Sequence, residues 1–448
     1  MIKRILFSLF AITMVLVSCQ DDDTFTTDRQ ALLSFSVDTV KLDTVFSTIG
    51  SSTYSLWVYN NSSNGIRIKR AFLRKGNQTG YRVNVDGSFL DNLRGSSVSD
   101  LEVRKGDSLR VFVELTAPEN QKSVAQLLSD DLVFLLESGV EQSVNLRGFS
   151  WDAQLVSNLN VTSDTLICSA KPIVVYGGIT VSEGKTLTIK NTQFYFHDKA
   201  GIDVYGTLKI DSVLMRGDRL DHMFAYLPYD RVSGQWEGIH IYSSSEGNNI
   251  KNSELHSAMY GILCDSARLA SGHQRLYMER SVVHNCKGNG LELRHAYVGI
   301  KKCQISNMLG SCLLAYGGAV ILDSCTIAQF YPFSAQRNVA LQIYNKYNNA
   351  PYPLEQFSVS NSIITGYAND EILGTQEVDS IAFNYLFKES LLRTPMVEND
   401  TVHYQNIRWE KPSDEVSGKN HFVLFDDVNF IYDFHLKEDS PAKGLGCY

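Results

Sequence analysis

Apolar and polar residues alternate with a period of two through the first third of the chain. The runs include Leu33-Ser34-Phe35-Ser36-Val37, Tyr54-Ser55-Leu56-Trp57-Val58-Tyr59 and Leu109-Arg110-Val111-Phe112-Val113-Glu114-Leu115. Successive side chains of a strand point to opposite faces, so each run predicts a half-buried strand. Breakers at 60–65, 75–80, 105–107 and 118–120 divide residues 31–152 into seven or eight such strands. Many short strands separated by turn signals predict a β-sandwich.

Past residue 153 the pattern changes. A phrase of apolar, charged, polar, small, variable and apolar residues starts at Ile189, Ile210, Ile250, Met278, Ile300, Leu322, Val359 and Phe387, at a shortest spacing of 21 to 22 residues. That is a solenoid period with loop insertions, and each phrase is too short for a helical face. Stacked coils place equivalent residues in columns about 4.8 Å apart. One column, Phe194, Met215, Leu255, Val283, Ile305, Ile327, Ile364 and Leu392, is apolar throughout and is expected inside. Another, Lys190, Asp211, Lys251, Glu279, Lys301 and Asp323, alternates in sign, as cross-strand pairing of exposed charges favours. Cys303 and Cys325 share a column with Ser253, Ser281 and Ser362, while Cys264 and Cys312 fall on apolar or glycine columns. Small buried side chains explain these thiols better than disulfides or a zinc finger, for which no CxxC pair exists. The chain is therefore expected to be all-β, a sandwich over 31–152 followed by a solenoid over 153–393 with an insertion near 216–237. Residues 394–448 are left as a closing cap.

Composition narrows the partners. The net charge is −8 with no basic cluster after Arg4, which argues against nucleic acid. At the start, Lys3 and Arg4 precede an apolar run from Ile5 to Val17 that ends in Leu16-Val17-Ser18-Cys19, a secretory signal too short to span a bilayer. This end resembles a lipoprotein lipobox. The resemblance implies removal of residues 1–18, lipidation of Cys19 and a membrane as partner through that lipid. Gln20-Asp21-Asp22-Asp23 resembles the export signal of Bacteroidetes surface lipoproteins and implies an outer-membrane lipoprotein facing the exterior, with residues 19–30 as an acidic tether.

Two further resemblances concern the fold. VYNNSSNGIRI, LRVFVELTAPEN and the closing VNLRG make the first domain similar to immunoglobulin-like modules of the ASPM/SPD-2/Hydin type, which imply a spacer or docking role. EGKTLTIKNTQFYFHDKAGIDVYGTLKIDSV, then GQWEGIHIY, then DFHLKEDSPAKGLG resemble the opening and closing parts of right-handed parallel β-helix proteins of the pectate-lyase-like superfamily. That superfamily contains polysaccharide lyases and hydrolases as well as non-catalytic surface proteins. Calcium would be implied only for a lyase, and the clustered Asp residues of such enzymes are missing here. No cofactor is expected.

Two places carry candidate chemistry. The insertion concentrates Asp218, Arg219, Asp221, Asp230 and Glu237 with Arg216, Tyr229 and Trp236, candidates for a catalytic constellation or else a salt-bridged loop. On the strands after the glycine turns, Tyr242, Asp265, Arg294, Tyr316 and Tyr344 form one outward row, and His240, Glu292 and Gln342 stand in a second, broken by Leu263 and Leu314. Aromatic and polar groups on a regular face suit sugars, so these rows are the expected glycan-binding surface. His256 and His284 share an outward column beside Arg216 and Ser306. With no third ligand in that column, no metal site is expected. The sequence thus favours a non-catalytic glycan- or partner-binding surface lipoprotein, with a divergent lyase or hydrolase, or a structural subunit that docks to an envelope protein, as alternatives.

Overall fold

The computed structural model describes residues 24–76, 78–90, 93, 95–267 and 274–448, so the signal, Cys19 and the acidic run at 20–23 lie outside the described residues. The chain divides into two compact units, Met1–Asp152 and Ala153–Tyr448. The protein is all-β, a β-sandwich followed by a right-handed parallel β-helix.

Among the described residues the sandwich consists of two five-stranded sheets. Tyr54–Tyr59 pairs antiparallel with Ser108–Leu115 in one, and Glu141–Trp151 runs parallel to Thr39–Phe46 in the other. Alternation buries Leu56, Val58, Val111 and Val113 against Leu132, Phe134, Val144 and Leu146 of the facing sheet. Among the described residues the strands number ten against the seven or eight expected; the run expected over 33–37 contributes only Ser34–Phe35, and Ser88–Phe89 is too short a piece to show a period.

In the β-helix each coil contributes to three parallel faces. The first face contains Gly201–Val204, Gly238–Ile241, Ile262–Cys264, 291–294, 313–316 and Leu341–Tyr344. The second contains 186–190, 207–211, Asn248–Lys251, Leu276–Glu279, 297–301 and 319–323. The third contains 192–196, 213–217, Glu254–His256, Val282–His284, Gln304–Ser306, Thr326–Gln329 and Ile363–Gly366. The predicted registers hold residue by residue: Phe194 pairs with Met215 and so on to Leu392, and the alternating charges pair from Lys190 through Asp323. Lys251 reaches Glu279 at 3.6 Å and Lys301 reaches Asp323 at 3.8 Å on the outside. Coil pairing continues beyond 393 through Tyr404–Gln405 and Arg408–Trp409, where Tyr404 stacks on Phe387 at 5.5 Å.

The corner between the second and third faces explains the repeated phrase. Its third position, Asn191, Ser212, Asn252, Arg280, Lys302, Ser324, Asn361 and Glu389, adopts φ between 45° and 60° in these eight coils. The left-handed residue bends the chain, and short polar side chains tolerate it best. The next residue turns inward. There Ser253, Ser281, Ser362 and Ser390 donate to the carbonyl two residues back at 2.5, 2.9, 2.6 and 2.7 Å. Each hydroxyl can also accept the backbone N–H of the preceding coil, as Ser362 does from Cys325 at 2.9 Å. Cys303 and Cys325 substitute their thiols in the same ladder, at 3.3 and 3.4 Å to the carbonyl. Cys264, Cys286, Cys303, Cys312 and Cys325 are all free and buried, as expected.

One buried carboxyl adds a pH dependence. Glu371 is fully buried beside the first face and accepts the Ala340 N–H at 2.8 Å and the Ala368 N–H at 2.7 Å. Burial outweighs those bonds and raises its pKa from 4.5 to about 7. A raised carboxyl pKa stabilises the fold fully below the unfolded value, and that contribution is lost as pH rises through the folded one. The unfolding free energy should therefore fall by about 3 kcal/mol between about pH 5 and pH 8 on account of this group. Chemical denaturation across that range should show a steeper decline in the native chain than in Glu371→Gln; equal slopes would refute it.

Candidate functional site

The insertion does not assemble a pair of catalytic carboxylates. Asp218, Asp221 and Asp230 are each paired with a basic side chain, while Glu237 borders a cleft. Asp218 meets His197 at 2.7 Å, and Asp221 is held by Arg219 Nε at 2.7 Å while that guanidinium lies 4.0 Å over the Tyr229 ring. Asp230 pairs with Arg216. Trp236 is no surface aromatic: it is 1% exposed, stacks on Phe196 at 4.3 Å and donates from Nε1 to the His256 carbonyl at 2.9 Å. Glu237 turns away to the first face. The segment is a salt-bridged excursion that folds onto the third face, fastened by Asn285 Nδ2 to the Arg231 carbonyl at 2.8 Å and by Ser257 Oγ to the Asp230 carbonyl at 2.9 Å.

The predicted sugar-facing rows are in register on the first face, yet Asp265, Glu292, Arg294, Tyr316 and Tyr344 are already engaged by protein neighbours. Arg294 binds Asp265 at 2.9 Å and Glu292 at 2.6 Å, and Asn289 Nδ2 also donates to Glu292 at 2.9 Å. The pair Lys346–Tyr347 and Ala350–Pro351 brings Tyr347 to 4.7 Å from both Arg294 and the Tyr316 ring, while Tyr316 stacks on Tyr344 at 5.6 Å. The expectation of a flat, open face fails along this stretch, because a local hairpin without solenoid periodicity folds over it. Gln342 remains half-buried in the second row.

Toward the other end of the same face, no hairpin of the described residues folds over the row. Tyr242 stacks between Tyr205 at 4.1 Å and His240 at 3.8 Å, and Tyr205 is 37% exposed. Beside the stack lies a cleft of about 240 Å³ lined by Lys199, Asp203, Glu237, His240 and Tyr260. His240 Nε2 is oriented by Asp265 at 2.9 Å, and the Tyr242 hydroxyl donates to Asp203 at 3.2 Å. The sequence reading missed Tyr205, although it precedes Tyr242 in the same row.

On the third face, His256 and His284 stack as the register requires, with ring centroids 4.8 Å apart. Glu254, two residues before His256 and so on the same side of the strand, reaches His284 Nε2 at 3.0 Å and His256 Nε2 at 4.0 Å. The spacing Glu-x-His signals this third group, and a column-by-column reading passes over it. Asp230 Oδ1 lies 3.7 Å from His256 Nε2. The His284 hydrogen bond holds the Glu254 carboxyl down at about 2, and burial keeps the His256 pKa well below its usual range. Glu254 also borders a larger cleft of about 740 Å³ along the coil corner, with Lys171, Asn191, Gln193, Asn252 and Arg280.

Residues 237–366 match the family model described as a right handed beta helix region. No curated protein matches the chain. Among solved structures, the ASH / PapD-like domain of human CEP192 is 13% identical, covering 31% of this chain and 97% of that one at a TM-score of 0.19. The catalytic domain of a GH87 alpha-1,3-glucanase in complex with nigerose is 8% identical over 81% of each chain at a TM-score of 0.23. The Agl-KA catalytic domain is 10% identical over 80% of this chain and 79% of that one at 0.17. Likenesses this distant carry no argument about activity.

Proposed function

We propose that the protein is a surface lipoprotein, anchored through Cys19, that displays its β-helix as a non-catalytic glycan-binding module. The observation that carries this reading is the Tyr205, Tyr242 and His240 stack at the rim of the polar cleft on the first face. Sugar rings present apolar faces to aromatics and hydroxyls to charged groups, and Lys199, Asp203 and Glu237 supply the latter within reach of the stack. The non-catalytic part rests on the dispersal of the insertion carboxylates into separate ion pairs.

The test is a screen of the purified chain against acidic and neutral polysaccharides, with and without calcium, recording retention and new chain ends together. Tyr205→Ala with Tyr242→Ala should weaken retention about tenfold, equivalent to about 1.4 kcal/mol. Tyr316→Ala with Tyr344→Ala should change it by less than about twofold, since Tyr347 already covers Tyr316. New chain ends would overturn the non-catalytic reading and direct attention to Asp203 and Glu237. Retention indifferent to both double variants would remove the first face as the binding surface. Protease shaving of intact cells tests the exterior location: a protein facing inward would survive it.

A further inference from the structure

We propose that Glu254, His256 and His284 form a binding site for a divalent transition-metal ion of the zinc class, independent of the glycan surface. One ligand atom from each lies within 4.8 Å of the others, and two imidazoles with one carboxylate are a donor set suited to zinc and its neighbours.

The surroundings orient the ligands. Ser257 Oγ donates to the Asp230 carbonyl at 2.9 Å, so it accepts from His256 Nδ1 at 2.9 Å and from Asn285 Nδ2 at 3.1 Å. With Nδ1–H committed there, His256 turns Nε2 toward the Glu254 and Asp230 carboxylates, whose oxygens stand at 4.0 and 3.7 Å, beyond hydrogen-bond reach. A residue 4% exposed thus holds a ring nitrogen beside two carboxylates without a hydrogen bond to either, an arrangement that a metal ion completes. Asp230 pairs with Arg216 and lies 3.6 Å from Arg231, so its charge is taken up by those two guanidinium groups and Glu254 is the carboxylate that faces the imidazoles. Entry is open. The Glu254 side chain is 48% exposed and His284 16%, so torsions of these two can bring the three donors to bonding distance around one ion. Three protein ligands leave a coordination position free at the edge of the larger cleft that Glu254 borders.

The test uses the full chain in detergent without an oligohistidine tag, dialysed against zinc with metal analysis and titrated with cobalt for its visible spectrum. One ion per chain is expected, with a cobalt spectrum free of thiolate charge-transfer bands. Glu254→Gln and His284→Gln, both at partly exposed positions and checked for native circular dichroism, should each weaken binding at least tenfold. Ser257→Ala, which removes the orienting bond to His256 together with the bonds to the Asp230 carbonyl and Asn285 and is likewise checked for native circular dichroism, should weaken it about 10- to 100-fold. No bound ion, unchanged affinity in both Gln variants, or a thiolate spectrum pointing to Cys168 or Cys447 would overturn the proposal.

Discussion

Replacing Glu410 by alanine should lower the unfolding free energy of the β-helix by about 3–5 kcal/mol, the cost of leaving a buried charge without its partner. Glu410 Oε1 binds Arg393 and the Gly418 N–H, both at 2.5 Å, and Oε2 faces His421 Nε2 at 3.5 Å. His421 is fully buried and its Nδ1 meets Ser440 Oγ at 2.9 Å, so one carboxylate links the last coils to the closing segment. Burial favours the neutral carboxyl, but the facing His421 and Thr365 side chains and the Gly418 N–H outweigh it and hold the pKa below the usual value. Urea denaturation should show the loss for Glu410→Ala. Glu438→Ala, which breaks an exposed pair with Lys443, should move the midpoint hardly at all. Equal effects from the two would refute the account.

Trp236→Ala should cost about 3–5 kcal/mol, the range for removing a large buried aromatic. Its ring lies nearly parallel to Phe196, at 9°, and its N–H satisfies the His256 carbonyl, so truncation leaves both a cavity and an unpaired acceptor. The excursion over the third face rests on this side chain, so limited proteolysis should cut between 218 and 235 faster in the variant. A native denaturation midpoint with unchanged cleavage would show that the ion pairs of Arg216 and Arg219 hold the segment by themselves.

The two predictions share a feature that was hidden in the sequence. Tyr195, His256, Ser306 and Thr365 all point away from the solenoid core, yet each is at most 5% exposed. The excursion covers one end of their column. The closing segment covers the other: Phe330 packs with Phe422 and Phe434, Ile363 with Ala442 and Leu445, and the Tyr448 hydroxyl donates to Gln304 at 2.6 Å. The segment expected to cap the end therefore lies along the side of the third face. Likewise Leu314, in the outward row of the first face, is 6% exposed.

By itself the sequence determined the all-β class, the solenoid register and the inward columns, because alternation and a 21- to 22-residue spacing are local patterns that every coil repeats. It also placed His284 opposite His256 and Tyr344 beside Tyr316. The tertiary structure alone decided which outward columns meet solvent, which carboxylates stay free and where Glu254 joins the histidines. Those outcomes depend on contacts between residues up to 144 positions apart, such as Tyr448 with Gln304, made by segments that follow no period. A periodic signal fixes which way a side chain points; what then covers it is settled only when the non-repeating segments pack.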